Sequence, residues 1–150
     1  MIVCHGPHPI KFRRITFDPT VDYPLGSRRP DLVETPSGLA LEEVTLEAAR
    51  AGTLVAADVR ATPATLRRQA EVARAAGRRQ LADNLDRAAE LAGVPDGQLL
   101  EIYTALRPGR STVGELEEWA RRLDCWEAPR TAAFVREAAV AYVDRGLVLD

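Results

Sequence analysis

Six of the ten prolines in this 150-residue chain fall before position 37: Pro7, Pro9, Pro19, Pro24, Pro30 and Pro36. Proline fixes φ, lacks the N–H that a helix ladder needs and clashes with the preceding turn, so no long helix survives that density. After Leu41 the punctuation changes. Pro63, Pro95 and Pro129 stand where helices can begin, and Gly52, Gly77, Gly93 and Gly146 stand where they can stop. This asymmetry alone divides the chain into an extended N-terminal arm, residues 1–40, and a helical domain, residues 41–150. Within the arm, Ile10–Phe17 (IKFRRITF) has the composition of a strand but no pairing partner. The arm cannot offset its own chain entropy, about 1–2 kcal/mol per ordered residue, without a surface to lie on. Residues 1 to 20 are expected to stay mobile. Residues 21–40, with Tyr23 and Leu25 as apolar anchors, are expected to order on a partner.

The helical domain reads as an all-α, compact bundle of about five or six helices. Thr45 caps a short helix, LEAARA, that stops at Gly52. Thr62 caps the next, with Leu66, Gln69, Ala70 and Ala73 on one face. A helix from about Arg79 to Ala92 follows, with Leu81, Leu85, Ala88 and Ala92 as its inner stripe. From Pro95 to Arg107, Leu99, Ile102, Tyr103 and Leu106 share a stripe and Leu100 widens it. The apolar arc of roughly 160° exceeds the ~100° of an ordinary surface helix, which predicts a central helix with more than one neighbour. Ser111 or Thr112 caps a helix with Leu116, Trp119, Ala120 and Leu123 inward, and Thr112 and Glu115 have capping-box spacing. Its Glu117–Arg121 and Glu118–Arg122 pairs have favourable i,i+4 order. The last helix starts at Pro129 and aligns Val135, Ala138, Ala139 and Tyr142.

Composition narrows the function. The net charge is −2, which argues against generic attraction to nucleic acid. Aromatic residues are 5%, and many positions on the helical faces are alanine. Alanine gives little burial, so these faces are expected to need a partner. Cys4 and Cys125 are isolated thiols without metal or redox spacing, as in a reduced cytoplasmic protein. No apolar run approaches the ~20 residues of a membrane span, and the first residues do not read as a signal peptide.

No convergent catalytic set is visible. Cys4, His5 and His8 form the one cluster of soft ligands, and it lacks a fourth ligand and a rigid frame. Arg67, Arg68, Arg74, Arg78 and Arg79 form either a phosphate- or RNA-binding face or a solvated face neutralised by Glu71, Asp83 and Asp86. Adjacent carboxylates such as Glu42–Glu43 and Glu117–Glu118 do not face each other on a helix, so they are poor acid–base pairs. Catalytic, cofactor-binding and metal-binding residues are therefore read as none. Tyr103 and Arg107 are either a core tyrosine beside a helix-terminal arginine or a contact to a partner chain.

The chain resembles the small subunit of the coenzyme B12-dependent diol and glycerol dehydratases over roughly residues 22–147. The resemblance is carried by DYPL at Asp22–Leu25, TLEAARAG at Thr45–Gly52, RRQLADNLDRAAELAGVP at Arg78–Pro95, LLEIYTALRPGRST at Leu99–Thr112 and APRTAAFVREAAVAYVDRGL at Ala128–Leu147. It implies a mostly helical, non-catalytic subunit packed on a large subunit, with a medium subunit also present and two copies of each of three chains. It also implies adenosylcobalamin in the assembled enzyme, not bound by this chain alone, and conversion of 1,2-diols or glycerol to aldehydes and water by a radical route. The residues read above as contacts to such a partner are Tyr23, Leu25, Tyr103 and Arg107. A cytoplasmic location is implied, within a bacterial microcompartment for some members; residues 1–21 lack an amphipathic helix that would carry that association here. Gly114 replaces an acidic residue usual in the family, and Gly97 a helix-friendly one. The rival from another class is a free-standing helical adaptor or nucleic-acid-binding module.

Overall fold

The computed structural model describes residues 16–149, and these fall into two compact units, one within Phe12–Ala92 and the other within Gly93–Asp150. Cys4, His5, His8 and most of the Ile10–Phe17 stretch lie outside the described residues. The described chain is all-α: seven α-helices, with one isolated bridge between Glu34 and Ala40 and no strand.

In the first unit, the proline-rich stretch is wound into single turns. A four-residue helix, α1 (Leu25–Arg28), is followed by 3-10 turns at Pro30–Leu32 and Leu41–Glu43. Leu25 and Leu32 are buried inside this unit, so part of the segment has packing of its own. Arg29 fastens it, donating to Asp22 at 3.0 Å, to Asp31 at 2.9 Å and to the Thr16 carbonyl at 3.1 Å. Asp58 is the second fastening. Its buried carboxylate accepts the N–H of Ser37 at 3.2 Å and of Val55 at 3.0 Å, which joins the Thr35–Ala40 loop to the 3-10 turn Ala56–Val59.

Thr45 caps α2 (Leu46–Arg50) by accepting from the Ala48 N–H, and Thr62 caps α3 (Pro63–Ala75) by accepting from that of Thr65, as their positions before an apolar run predict. α4 (Arg79–Leu91) turns back on α3. Between them Ala70, Ala73 and Ala82 are buried, with Leu85 partly buried against them. The expected stripe is therefore corrected: Ala82 and Ala89 face inward, whereas Leu81, Ala92 and Gln69 are exposed. Small side chains let the two backbones approach, and the tight turn at Gly77 sets the phase of α4. At that turn Arg78 N–H bonds to Ala73 carbonyl at 2.8 Å and Gly77 N–H to Arg74 carbonyl at 3.0 Å, with Gly77 at φ 75°.

In the second unit, α5 (Asp96–Ala105) precedes α6 (Val113–Cys125) and α7 (Pro129–Asp144), and α6 and α7 form the main packed pair. Leu116, Ala120, Leu123, Ala128, Ala132, Val135 and Ala139 fill the seam. Thr112 and Glu115 close the expected capping box, with Thr112 N–H donating to Oε2 at 2.8 Å. The central role expected for α5 is not found. Ile102 is its one buried residue, Leu100 is 70% exposed, and the helix ends at Ala105. The α6 ion pairs also differ. Arg121 meets Glu118 at i,i+3, and Glu117 and Asp124 both hold Arg136 of α7. Pairing across the seam links two helices that are already packed, whereas the i,i+4 pairs would have stayed on one exposed face.

The α6–α7 turn has the same hydrogen-bond pattern as the α3–α4 turn, with Ala128 N–H on the Leu123 carbonyl and Glu127 N–H on that of Asp124. Here, though, the left-handed position is held by Glu127 at φ 56°. A side chain there costs roughly 1–2 kcal/mol that glycine avoids.

Three expectations follow. Ala82→Leu should lower unfolding free energy by about 1–3 kcal/mol in urea titrations, because the seam has no room for three more carbons. Glu127→Gly should leave stability unchanged or raise it by about 1 kcal/mol, where glycine at an ordinary helical site lowers it. The Ser37 hydroxyl and the Val55 N–H hold the Asp58 carboxyl below its ordinary value of 3.8. A carboxyl depressed in the folded state contributes stability above its unfolded pKa, about 3.9, and loses it as pH falls through the folded value. Acid unfolding below about pH 4 should thus be less steep in Asp58→Asn than in the wild-type chain.

Candidate partner interface

α5 presents an apolar and charged strip that its own unit does not cover. Leu100 and Tyr103 are three residues apart and so lie on one face, and Arg107 follows one turn later, just past the helix end. Tyr103 is 56% exposed, so the core-tyrosine reading is set aside. Arg107 is exposed too, and its side chain makes no hydrogen bond or ion pair with a described residue.

This strip is held rigidly from behind. Arg122 of α6 donates to Gln98 of α5, and its guanidinium lies 4.3 Å from the Trp119 ring centre and 5.4 Å from that of Trp126. Two aromatic faces and an amide leave that cation little freedom, so α5 keeps its rotation relative to α6. The end of α5 is fastened as well. Tyr142 donates its hydroxyl to the Leu106 carbonyl, Ser111 Oγ donates to that of Ala105 at 3.1 Å, and Gly109 N–H donates to that of Leu147 at 2.7 Å.

In the other unit, Tyr23 is 57% exposed, whereas Leu25 is only 7% exposed. The two were expected as a pair of outward anchors. Only Tyr23 presents a surface, because Leu25 begins α1 and turns its side chain inward. Tyr23 and the α5 strip belong to separate units.

Other candidates have structural occupations. Arg68 donates to the Leu32 carbonyl and Arg74 pairs with Asp86 at 2.7 Å, so two of the five arginines of the basic run act inside their own unit. A shallow depression of about 290 Å³ on the α6–α7 pair is lined by Val113, Glu117, Arg136, Val140 and Val143. It is open, Glu117 and Arg136 pair with each other within it, and Asp144 is its remaining ionisable group. Among the described residues, no three histidine, cysteine or carboxylate side chains gather as metal ligands. No helix there is long and apolar enough to cross a membrane. Periodicity could not have revealed the exposed strip, since apolar residues at helical spacing read alike whether their neighbour is in the chain or outside it.

Residues 19–148 match the family of dehydratase small subunits. The chain is 51% identical over 125 residues to the propanediol dehydratase small subunit of Citrobacter freundii, covering 83% of this chain and 73% of that protein. It is 50% identical over 125 residues to the protein of the same name from Salmonella typhimurium strain LT2, covering 83% and 72%. Matched along most of its length, and half identical to both relatives, the chain belongs to the dehydratase small-subunit family.

Proposed function

We propose that this chain is the non-catalytic small subunit of an adenosylcobalamin-dependent diol dehydratase, a hydro-lyase that converts propanediol or glycerol to an aldehyde and water. The observation that carries this reading is the uncovered α5 strip, in a chain half identical to propanediol dehydratase small subunits. Its role is to pack on the large subunit of a cytoplasmic assembly that also contains a medium subunit, with two copies of each of three chains. Tyr103 and Arg107 form one contact. Tyr23 forms another, with Leu25 anchoring the turn beneath it. Tyrosine and arginine combine a broad contact area with directed hydrogen bonding, which is why they dominate interface energetics.

Cobalamin would supply homolytic chemistry in the assembled enzyme. The open depression of about 290 Å³ on α6–α7 is too small for a corrinoid, and no step is assigned to residues of this chain.

The test is co-expression with the large and medium subunits. The tagged chain should recover both in a fixed ratio with diol dehydratase activity. Tyr103→Ala combined with Arg107→Ala should weaken assembly about tenfold or more, the scale of a small hot spot, while thermal unfolding of the isolated chain stays unchanged. Recovery of the chain without either subunit would falsify the proposal.

A further inference from the structure

The chain's two tryptophans, Trp119 and Trp126, both border one cation, Arg122. The three are spaced i, i+3 and i+7, so they line one side of α6 and its C-cap. At about 100° per residue that line lies roughly 90° round the helix from the buried stripe of Leu116, Ala120 and Leu123. It is the flank opposite Glu117 and Asp124, which hold Arg136. Arg122 donates across to Gln98 of α5. Glu118, a carboxylate four residues earlier in α6, was within helical reach of it, yet meets Arg121 instead. A guanidinium that takes a neutral amide on another helix over a carboxylate on its own gains no charge-pair energy. What it fixes is position.

α5 needs such a fixing. Ile102 is its one buried residue, and one packed side chain does not determine how a helix is turned about its own axis. The ties from Tyr142 and Ser111 act on the carbonyls of Leu106 and Ala105, and so hold the end of α5 in place. Gln98 precedes Ile102 by four residues and shares its side of the helix. With Arg122 on Gln98, α5 has a second inward point one turn from the first. Leu100 and Tyr103 lie roughly 100–160° round the axis from Ile102, on the outward side. A turn of α5 by about 30° would carry a side chain about 5–6 Å from the axis through about 3 Å. A packed contact does not survive that displacement.

Resting on the small-subunit reading above, with the α5 strip as its contact, we propose that Arg122 is a positioning residue for assembly. Trp119 and Trp126 hold the guanidinium, and the guanidinium holds Gln98. Gln98 in turn fixes the rotation at which α5 presents Leu100 and Tyr103 to the larger dehydratase subunit. Arg122 acts from within its own unit.

The test is a double-mutant cycle on association of the full chain with the larger subunits. Arg122→Ala should weaken association about tenfold, the scale of the strip it orients. Gln98→Ala leaves the cation between its rings. It should weaken association by a similar factor while thermal unfolding of the free chain stays close to wild type, so the comparison survives any loss of fold in Arg122→Ala. Tyr103→Ala combined with Arg107→Ala removes the strip itself. Adding Arg122→Ala to that pair should cost little more, for a combined loss that stays near about tenfold. Losses that multiply to about a hundredfold mark independent structural damage and overturn the inference. Tryptophan emission of the free chain gives a second reading. Both rings border Arg122, so Arg122→Ala should move the emission to longer wavelength as water reaches them; unchanged emission overturns the clamp. Wild-type affinity in both Arg122→Ala and Gln98→Ala overturns this inference and leaves the small-subunit reading standing. A wild-type chain that does not assemble with the larger subunits overturns both.

Discussion

Alanine-lined seams are the constraint on which the rest of this structure depends. Eight of the fifteen buried apolar residues among the described residues are alanine, and Ala70, Ala82, Ala120, Ala128 and Ala132 are fully buried. An alanine seam lets two helices approach closely and costs no side-chain entropy, but it removes little apolar area from water. Over the same residues, fourteen large apolar side chains remain exposed. In a self-sufficient domain those larger groups would be the ones inside. The distribution here is that of a chain whose large side chains are kept for surfaces other than its own seams.

Polar fastenings supply the definition that thin seams lack. Arg29 and Asp58 each gather two or more segments in the first unit. Arg136 spans α6 and α7, and Arg122 clamps α5 to α6 between two tryptophans. Most of these groups are only partly buried, so each ion pair alone contributes little. Their value is geometric. In the second unit, Arg122 sets where α5 points relative to α6, and so what the Leu100–Tyr103–Arg107 strip presents. Membership of the dehydratase small-subunit family agrees with such a body, in which Arg29, Asp58, Arg122 and Arg136 are engaged in structure.

Helix existence and helix ends were determined by the sequence itself, because the signals are local. Thr45, Thr62 and Thr112 cap their own helices, Gly77 and Gly146 take the left-handed position within a single turn, and proline density kept long helices out of residues 16–44. The family, too, was legible in contiguous stretches such as Leu99–Thr112. Tertiary structure decided what depends on partners distant in sequence. It turned Ala82 and Ala89 inward rather than Leu81, because rotation about the α4 axis is set by how closely α3 can approach. It gave Glu117 to Arg136 rather than Arg121. It also buried Ile102 of the wide apolar arc of α5 while leaving Leu100 and Tyr103 exposed. Hydrophobic spacing records that a face avoids water, but not which molecule covers it, and that difference separates a central helix from an interface.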